Sequence, residues 1–190
     1  LYHVTGGPKR GAALQYHDAL RHDVEVAPKA MSYWKPNTTV AAVIERDGRF
    51  LLVEEATPEG VRINQPAGHL DPGESLLQAV AREALEETAW EVEPVAGVGI
   101  YMSRYQHAAS GTDVTYLRFA FACRARAHQP TRPLDHGIVR AIWLDADAVR
   151  ACRELHRSPL VMQTIDDYVA GKRFALDLIH THPNCLYRHA

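Results

Sequence analysis

Short apolar runs separated by turn residues dominate the chain from Thr39 onward. Thr39-Val-Ala-Ala-Val-Ile-Glu45 and Arg49-Phe-Leu-Leu-Val-Glu54 flank Arg46-Asp47-Gly48, and two such runs across an Asp-Gly turn predict an antiparallel hairpin. A stretch punctuated by Pro58, Gly60, Pro66, Gly68, Pro72 and Gly73 reads as turns and loop. It leads to Ser75, with Gln78 three residues on, the pattern of a capping box at the start of a helix from Ser75 to Thr88. Strands are expected over Val95 to Ser103 and Val114 to Arg124, joined by a polar loop with Ser110-Gly111, and over Val139 to Leu144. Asp145 suits the cap of a short helix through Arg153, and a last amphipathic helix opens at Ser158-Pro159 and stops at Gly171. Hairpins interleaved with helices predict an α/β fold of the α+β type, with a mixed sheet covered by helices rather than an all-parallel one.

Composition narrows the setting. With 190 residues, 46% hydrophobic and 23% charged, the chain has the length of one ordinary globular domain. That domain is expected over residues 31–180, with a native start near Met31. Residues 1–30 then form an N-terminal extension outside the core fold, the rival being an arm with a helix around Ala12 to His22, and residues 181–190 form a C-terminal tail. The 21 basic and 23 acidic residues leave a formal net charge of −2, with no basic block that would favour a nucleic-acid partner. The longest apolar runs fall far short of the roughly 20 residues that span a bilayer. Cys123, Cys152 and Cys185 are odd in number and far apart, so they predict free thiols in a reducing cytoplasm rather than a metal knuckle or a disulfide framework.

The helix from Ser75 carries the candidate chemistry. With Glu83 at zero on a helical wheel, Glu86 falls near about 300° and Glu87 near about 40°, so three carboxylates share one face. Leu77, Val80, Ala81, Ala84, Leu85 and Thr88 fill the arc from about 60° to 200°, which predicts a core side next to an acidic side. Like charges at this spacing destabilise a helix, and Arg82 is the nearby base in register. Hard divalent cations take oxygen ligands and keep positions open for phosphates, so the stripe is a candidate metal site. Arg82, directed away from the apolar arc, is expected to orient Glu74 and a glutamate of the stripe.

Read from Gly68, GHLDPGESLLQAVAREALEETAW resembles the Nudix box, with Gly68, Glu74, Arg82, Glu83, Glu86 and Glu87 on its positions at the right spacing. The box's terminal glycine is Ala89 here, a departure that costs on the order of 1 kcal/mol if the position is left-handed. Trp34-Lys-Pro-Asn-Thr-Thr-Val, Phe50-Leu-Leu-Val-Glu-Glu55, Asn64-Gln-Pro-Ala-Gly-His-Leu70, Leu117-Arg-Phe-Ala-Phe121 and Arg157-Ser-Pro-Leu-Val161 are similar in order and spacing to the NudJ-type phosphatase branch of that superfamily.

The resemblance implies a Nudix fold, a mixed sheet sandwiched between helices. It implies one to three Mg²⁺ ions, with Mn²⁺ as a substitute, on Glu83, Glu86, Glu87 and the backbone carbonyl of Ala67. Glu74 and Gly68 support that set, and Glu83 deprotonates or orients the attacking water. The implied reaction removes phosphate from nucleoside tri- and diphosphates and from hydroxymethylpyrimidine diphosphate. The partner is then a small molecule and the protein a monomer or homodimer. The box alone leaves open a pyrophosphohydrolase of a dinucleotide, nucleotide sugar or oxidised purine triphosphate, and a sensor that binds a nucleotide without cleaving it. The intact glutamates favour hydrolysis. Gln65 and His69, beside the loop glycine, are candidate substrate contacts. Arg118, on the sheet face opposite Leu117 and Phe119, is a candidate for a phosphate or for a structural ion pair.

Overall fold

The computed structural model describes residues 33–107 and 110–187. The readings of an extension over 1–30, of a helix around Ala12 to His22 and of a start at Met31 lie outside the described residues. The chain divides into two units, Leu1–Trp34 and Lys35–Ala190, and the fold below is that of the second.

The hairpin forms where the pattern placed it: β1 (Asn37–Arg46) and β2 (Arg49–Thr57) meet across Asp47 and Gly48, both at positive φ, the conformation that matches the twist of a tight hairpin. The two strands pair only at Glu45↔Phe50 and Arg46↔Arg49, then part. β1 continues in parallel with β6 (Thr112–His128), from Asn37↔Tyr116 to Ile44↔Cys123. On its other edge it holds β4 (Ala67–His69) antiparallel. β2 instead takes β3 (Gly60–Asn64) and β7 (Ile138–Asp145). β5 (Trp90–His107) closes the far edge against β6. The mixed seven-stranded sheet matches the expected class.

β3 and β4 correct the sequence reading, which treated 58–73 as turns throughout. Neither strand shows a sustained alternation of its own. Each is held by the partner it meets in space, β2 for one and β1 for the other.

Every residue from Val40 to Ile44 is buried, because both faces of β1 are covered. Ala41 and Val43 point into a core shared with Phe50, Val98 and, from α3 (Leu160–Val169), Val161, Met162 and Ile165. Val40, Ala42 and Ile44 point the other way, onto Ala79, Val80 and Ala84 of α1 (Leu76–Thr88) and Phe121 of β6. Helices on opposite faces make the three-layer arrangement. The short α2 (Ala146–Ala151) is capped by Asp145, whose Oδ1 accepts from Ala148 N–H at 2.7 Å. The segment given to a C-terminal tail returns to the start of α1: Tyr187 N–H donates to the Gly73 carbonyl at 3.1 Å, and its ring occupies the space a Cβ at Gly73 would need.

The ends of α1 obey local chemistry. Ser75 Oγ accepts from Gln78 N–H at 3.2 Å and Gln78 Oε1 accepts from Ser75 N–H at 2.8 Å, closing the predicted capping box. At the other end Ala89 sits at φ 59, ψ 17, the left-handed conformation that favours glycine and costs alanine on the order of 1 kcal/mol. Substituting Ser75→Ala should lower stability by about 1 kcal/mol, read as a fall in the denaturant midpoint with an unchanged m-value.

Candidate active site

The acidic face of α1 is also part of its packed face, and this corrects the wheel. The buried residues of the helix are Ala79, Val80, Glu83, Ala84, Glu87 and Thr88, an arc turned toward the glutamates, while Ala81 and Leu85 are only half-buried. β4 lies over that edge of the helix, so Glu83 and Glu87 are each 8% exposed. The sequence pattern could not place β4 there, since β4 itself was read as loop.

Arg82 answers much of the resulting charge. Its Nε and Nη2 donate to the two oxygens of Glu74 at 3.0 and 2.7 Å, a bidentate pair with directional strength. Nη1 donates to Glu83 Oε1 at 2.8 Å and to Glu86 Oε2 at 3.0 Å, and Nη2 also reaches the His69 carbonyl at 3.0 Å. One guanidinium thus ties three carboxylates to the loop, as its position off the apolar arc suggested. Burial acts to raise the Glu74 carboxyl, but the bonds from Arg82 and from Asp71 N–H outweigh it and hold the group below the usual carboxylate range. The hydrogen bond to Glu74 leads in holding the Arg82 proton more tightly than usual.

Glu83 and Glu87 behave differently. Burial raises Glu83 despite Arg82, and burial pushes Glu87 up to about 8 even though Glu87 Oε2 accepts from Ala67 N–H at 2.9 Å. Two carboxylates in one packed site with one guanidinium are short of positive charge. Gly68 lets the loop approach them, because a Cβ there would collide with the Glu83 carboxylate. Its φ is not positive, so close approach rather than backbone conformation requires glycine.

Ala67 faces the same point from β4. Leu70 N–H donates to the Thr38 carbonyl at 3.1 Å and Ala42 N–H to the Pro66 carbonyl at 2.9 Å. The ladder bonds therefore alternate so that Ala67, opposite Ala41, turns both its N–H and its C=O away from β1. The N–H goes to Glu87, and the carbonyl lies along the same edge. Among the described residues no group of three or more His, Cys, Asp or Glu side chains is gathered at metal-binding distance. The glutamates are spread instead along Arg82 and Ala67.

A cleft of about 660 Å³ opens beside this edge, with Ala67, Gly68, His69 and Arg118 in its wall. His69 is exposed and its ring lies 6.2 Å from that of Tyr116. Gln65 is not in that wall: it is 1% exposed, and its Nε2 donates to the Val161 carbonyl at 2.7 Å. That bond ties the segment between β3 and β4 to α3. Arg118 forms no ion pair among the described residues; its Nε and Nη1 are buried without a partner, and burial weakens its hold on the proton. Thr39, Asn64, Glu55 and Arg157 also line the cleft and were not foreseen. They come from four separate segments: Glu55 and Asn64 are brought together by the pairing of β2 with β3, and Thr39 is set beside His69 and Arg118 by that of β1 with β4 and β6.

The NUDIX domain family model matches residues 34–163, and the chain belongs to this family: it is a Nudix hydrolase. It is 37% identical over 146 residues to Phosphatase NudJ of Escherichia coli (strain K12), covering 77% of this chain and 92% of that one. A solved NUDIX hydrolase from Nitrosomonas europaea is 52% identical, with a TM-score of 0.71, over 78% of this chain and 99% of that one. The NUDIX domain of Shewanella oneidensis NrtR, solved with ADP ribose, shares the fold at 19% identity and a TM-score of 0.55, over 77% of this chain and 94% of that one. Enzymes of this family typically use a divalent metal.

Two outcomes follow from the burial of the glutamates. Gly68→Ala should displace Glu83 and cost at least about tenfold in turnover while circular dichroism shows the fold intact. With divalent ions chelated, the fold keeps Glu87 protonated at pH values where the unfolded chain, at an ordinary 4.5, has lost that proton. The unfolded chain then binds fewer protons, so stability falls as pH rises from 4.5 through about 8. Denaturant unfolding across that window should record a decline on the order of a few kcal/mol, and Glu87→Gln should flatten it.

Proposed function

We propose that the chain is a Mg²⁺-dependent phosphohydrolase that removes phosphate from nucleoside tri- and diphosphates and from hydroxymethylpyrimidine diphosphate, with Mn²⁺ as a substitute. The observation that carries this reading is the pair of buried glutamates, Glu83 and Glu87, pressed against β4 and under-compensated by Arg82. The similarity to a phosphatase over 77% of the chain supports it.

Glu83, Glu86, Glu87 and the Ala67 carbonyl make an all-oxygen donor set, which suits a hard divalent cation, and raised proton affinity in two of them marks a site short of positive charge. These residues would hold one to three ions. Bound there, a cation neutralises phosphate oxygens and makes water easier to deprotonate. The chain's own work is positioning. Glu83, buried and with raised proton affinity, would take a proton from the attacking water or orient it. Arg82 keeps Glu83 and Glu86 aimed along one edge, and Glu74, bidentate on Arg82, keeps the guanidinium from turning. Gly68 lets the loop lie directly against the Glu83 carboxylate, and the neighbouring Ala67 carbonyl would join the set.

The substrate is a small molecule that fits the cleft beside β4. Cys123, Cys152 and Cys185 are free thiols, which suits a reducing compartment and supports placing the enzyme in the cytoplasm. No helix among the described residues is long and apolar enough to cross a membrane.

Incubation with Mg²⁺ and ATP, ADP, hydroxymethylpyrimidine diphosphate, ADP-ribose or a dinucleoside polyphosphate, resolved by product, tests the reading. Orthophosphate from the first three is expected. Pyrophosphate from ATP, or turnover confined to the last two, overturns the phosphatase assignment, and tight binding with no turnover of any compound overturns catalysis. Glu83→Gln should cut kcat by two orders of magnitude or so with the fold retained; activity within about threefold of the parent would remove Glu83 from its role.

A further inference from the structure

The cleft holds a buried cation that the reading above leaves unused. Arg118 of β6 is in register with Thr39 of β1, and Thr39 with His69 of β4. Residues opposite one another in a sheet project from the same face, so the three side chains form one row that begins next to Gly68. The Nε and Nη1 of Arg118 are shut off from solvent without a hydrogen-bond partner among the described residues. The neighbouring carboxylates are committed elsewhere: Glu55 Oε2 lies 3.4 Å from Arg157 Nε, and Glu87 accepts from Ala67 N–H. Thr39 Oγ1 and Asn64 Oδ1, in the same wall, are likewise buried and unpartnered.

Buried polar atoms are nearly always paired, and a buried cation without a counter-charge is costly to keep. Two of these groups, the Arg118 guanidinium and the Thr39 hydroxyl, are donors, and unpaired donors on one wall, one of them a cation, call for an oxyanion. A guanidinium presents parallel N–H donors that match two oxygens of one phosphate. β1 alone separates β4 from β6, which puts the Cα atoms of His69 and Arg118 roughly 10 Å apart. The long arginine side chain and a pyrophosphate group together close such a gap.

We propose that Arg118 is a specificity-determining residue that binds the second phosphate of the substrate, the one across the anhydride bond from the phosphate attacked at the glutamate helix. The proposal rests on the phosphohydrolase reading above. Arg157, at the same cleft and paired with Glu55, adds positive charge beside it, and Thr39 offers a hydroxyl. A compound with two consecutive phosphates engages both ends of the row; a monoester reaches one end and leaves the other uncompensated. The cleft therefore selects phosphoric anhydrides over phosphate monoesters.

Arg118→Met separates this from a structural role. In metal-free buffer, inorganic phosphate should raise the Tm of the parent protein and leave that of Arg118→Met unmoved, while the variant without phosphate melts at or above the parent's temperature because a buried unpaired charge is gone. An equal rise in both proteins overturns the proposal. Arg118→Lys, which keeps the charge and loses the fork, decides the matter should the Met variant not fold: it should lose most of the phosphate-induced rise, and an undiminished rise overturns the proposal. With Mg²⁺ and ADP, Arg118→Met should raise KM on the order of tenfold to a hundredfold with kcat within about threefold. It should also narrow the preference for ADP over AMP, whereas a loss in kcat alone overturns the assignment. A parent chain that turns over neither compound yet shows phosphate binding that depends on Arg118 would sink the phosphohydrolase reading and leave the anion site standing.

Discussion

The guanidinium of Arg82 is the interaction on which the site depends. It spans Glu74, Glu83, Glu86 and the His69 carbonyl at 2.7 to 3.0 Å, and it lets two glutamates be packed under β4 without driving the loop and helix apart. A buried carboxylate is costly when unpaired. Here the compensation is incomplete: Glu74 is held ionised, while Glu83 and Glu87 are left with raised proton affinity. That imbalance is the ground for the proposal that the helix receives cations, since the ion-pair network is not closed. A near-neutral chain, formally −2 overall, thus gathers three of its 23 acidic residues, Glu83, Glu86 and Glu87, on one edge of one helix.

The scaffold supplies the counterpart edge. β1 is buried on both faces and paired on both sides, parallel to β6 and antiparallel to β4. Because it parts from β2 after two residue pairs, its edge is free to hold β4 against α1. Through the same strand, Arg118 is set in one row with His69 and Thr39. The glutamate edge and the Arg118 guanidinium are two ends of a single geometric arrangement governed by the central strand, and the proposed polyphosphate and its cations would complete both.

The legible parts of the molecule are those that local chemistry decides. The Asp47-Gly48 turn, the Ser75/Gln78 capping box, Asp145 at the start of α2 and the glutamate spacing on α1 need only a few neighbouring residues to be understood. The illegible parts depend on partners far along the chain. β4 has three residues and no pattern of its own. Gln65 stands near the loop glycine yet reaches Val161, a partner 96 residues along the chain. The buried side of α1 is not the one its apolar residues mark, because β4 covers an arc that includes two glutamates.

By itself the sequence determined the family, the mixed sheet with covering helices, and the identity of the acidic and basic groups, since the box is a contiguous pattern read along one helix and one loop. Tertiary structure alone decided which of those groups are buried, which oxygen faces which nitrogen, and that Arg118 Nε and Nη1 meet no hydrogen-bond partner among the described residues. Proton affinity and pairing depend on the dielectric and on neighbours within a few ångströms, and those neighbours come from β1, β4, β6 and α1, segments that only folding brings together.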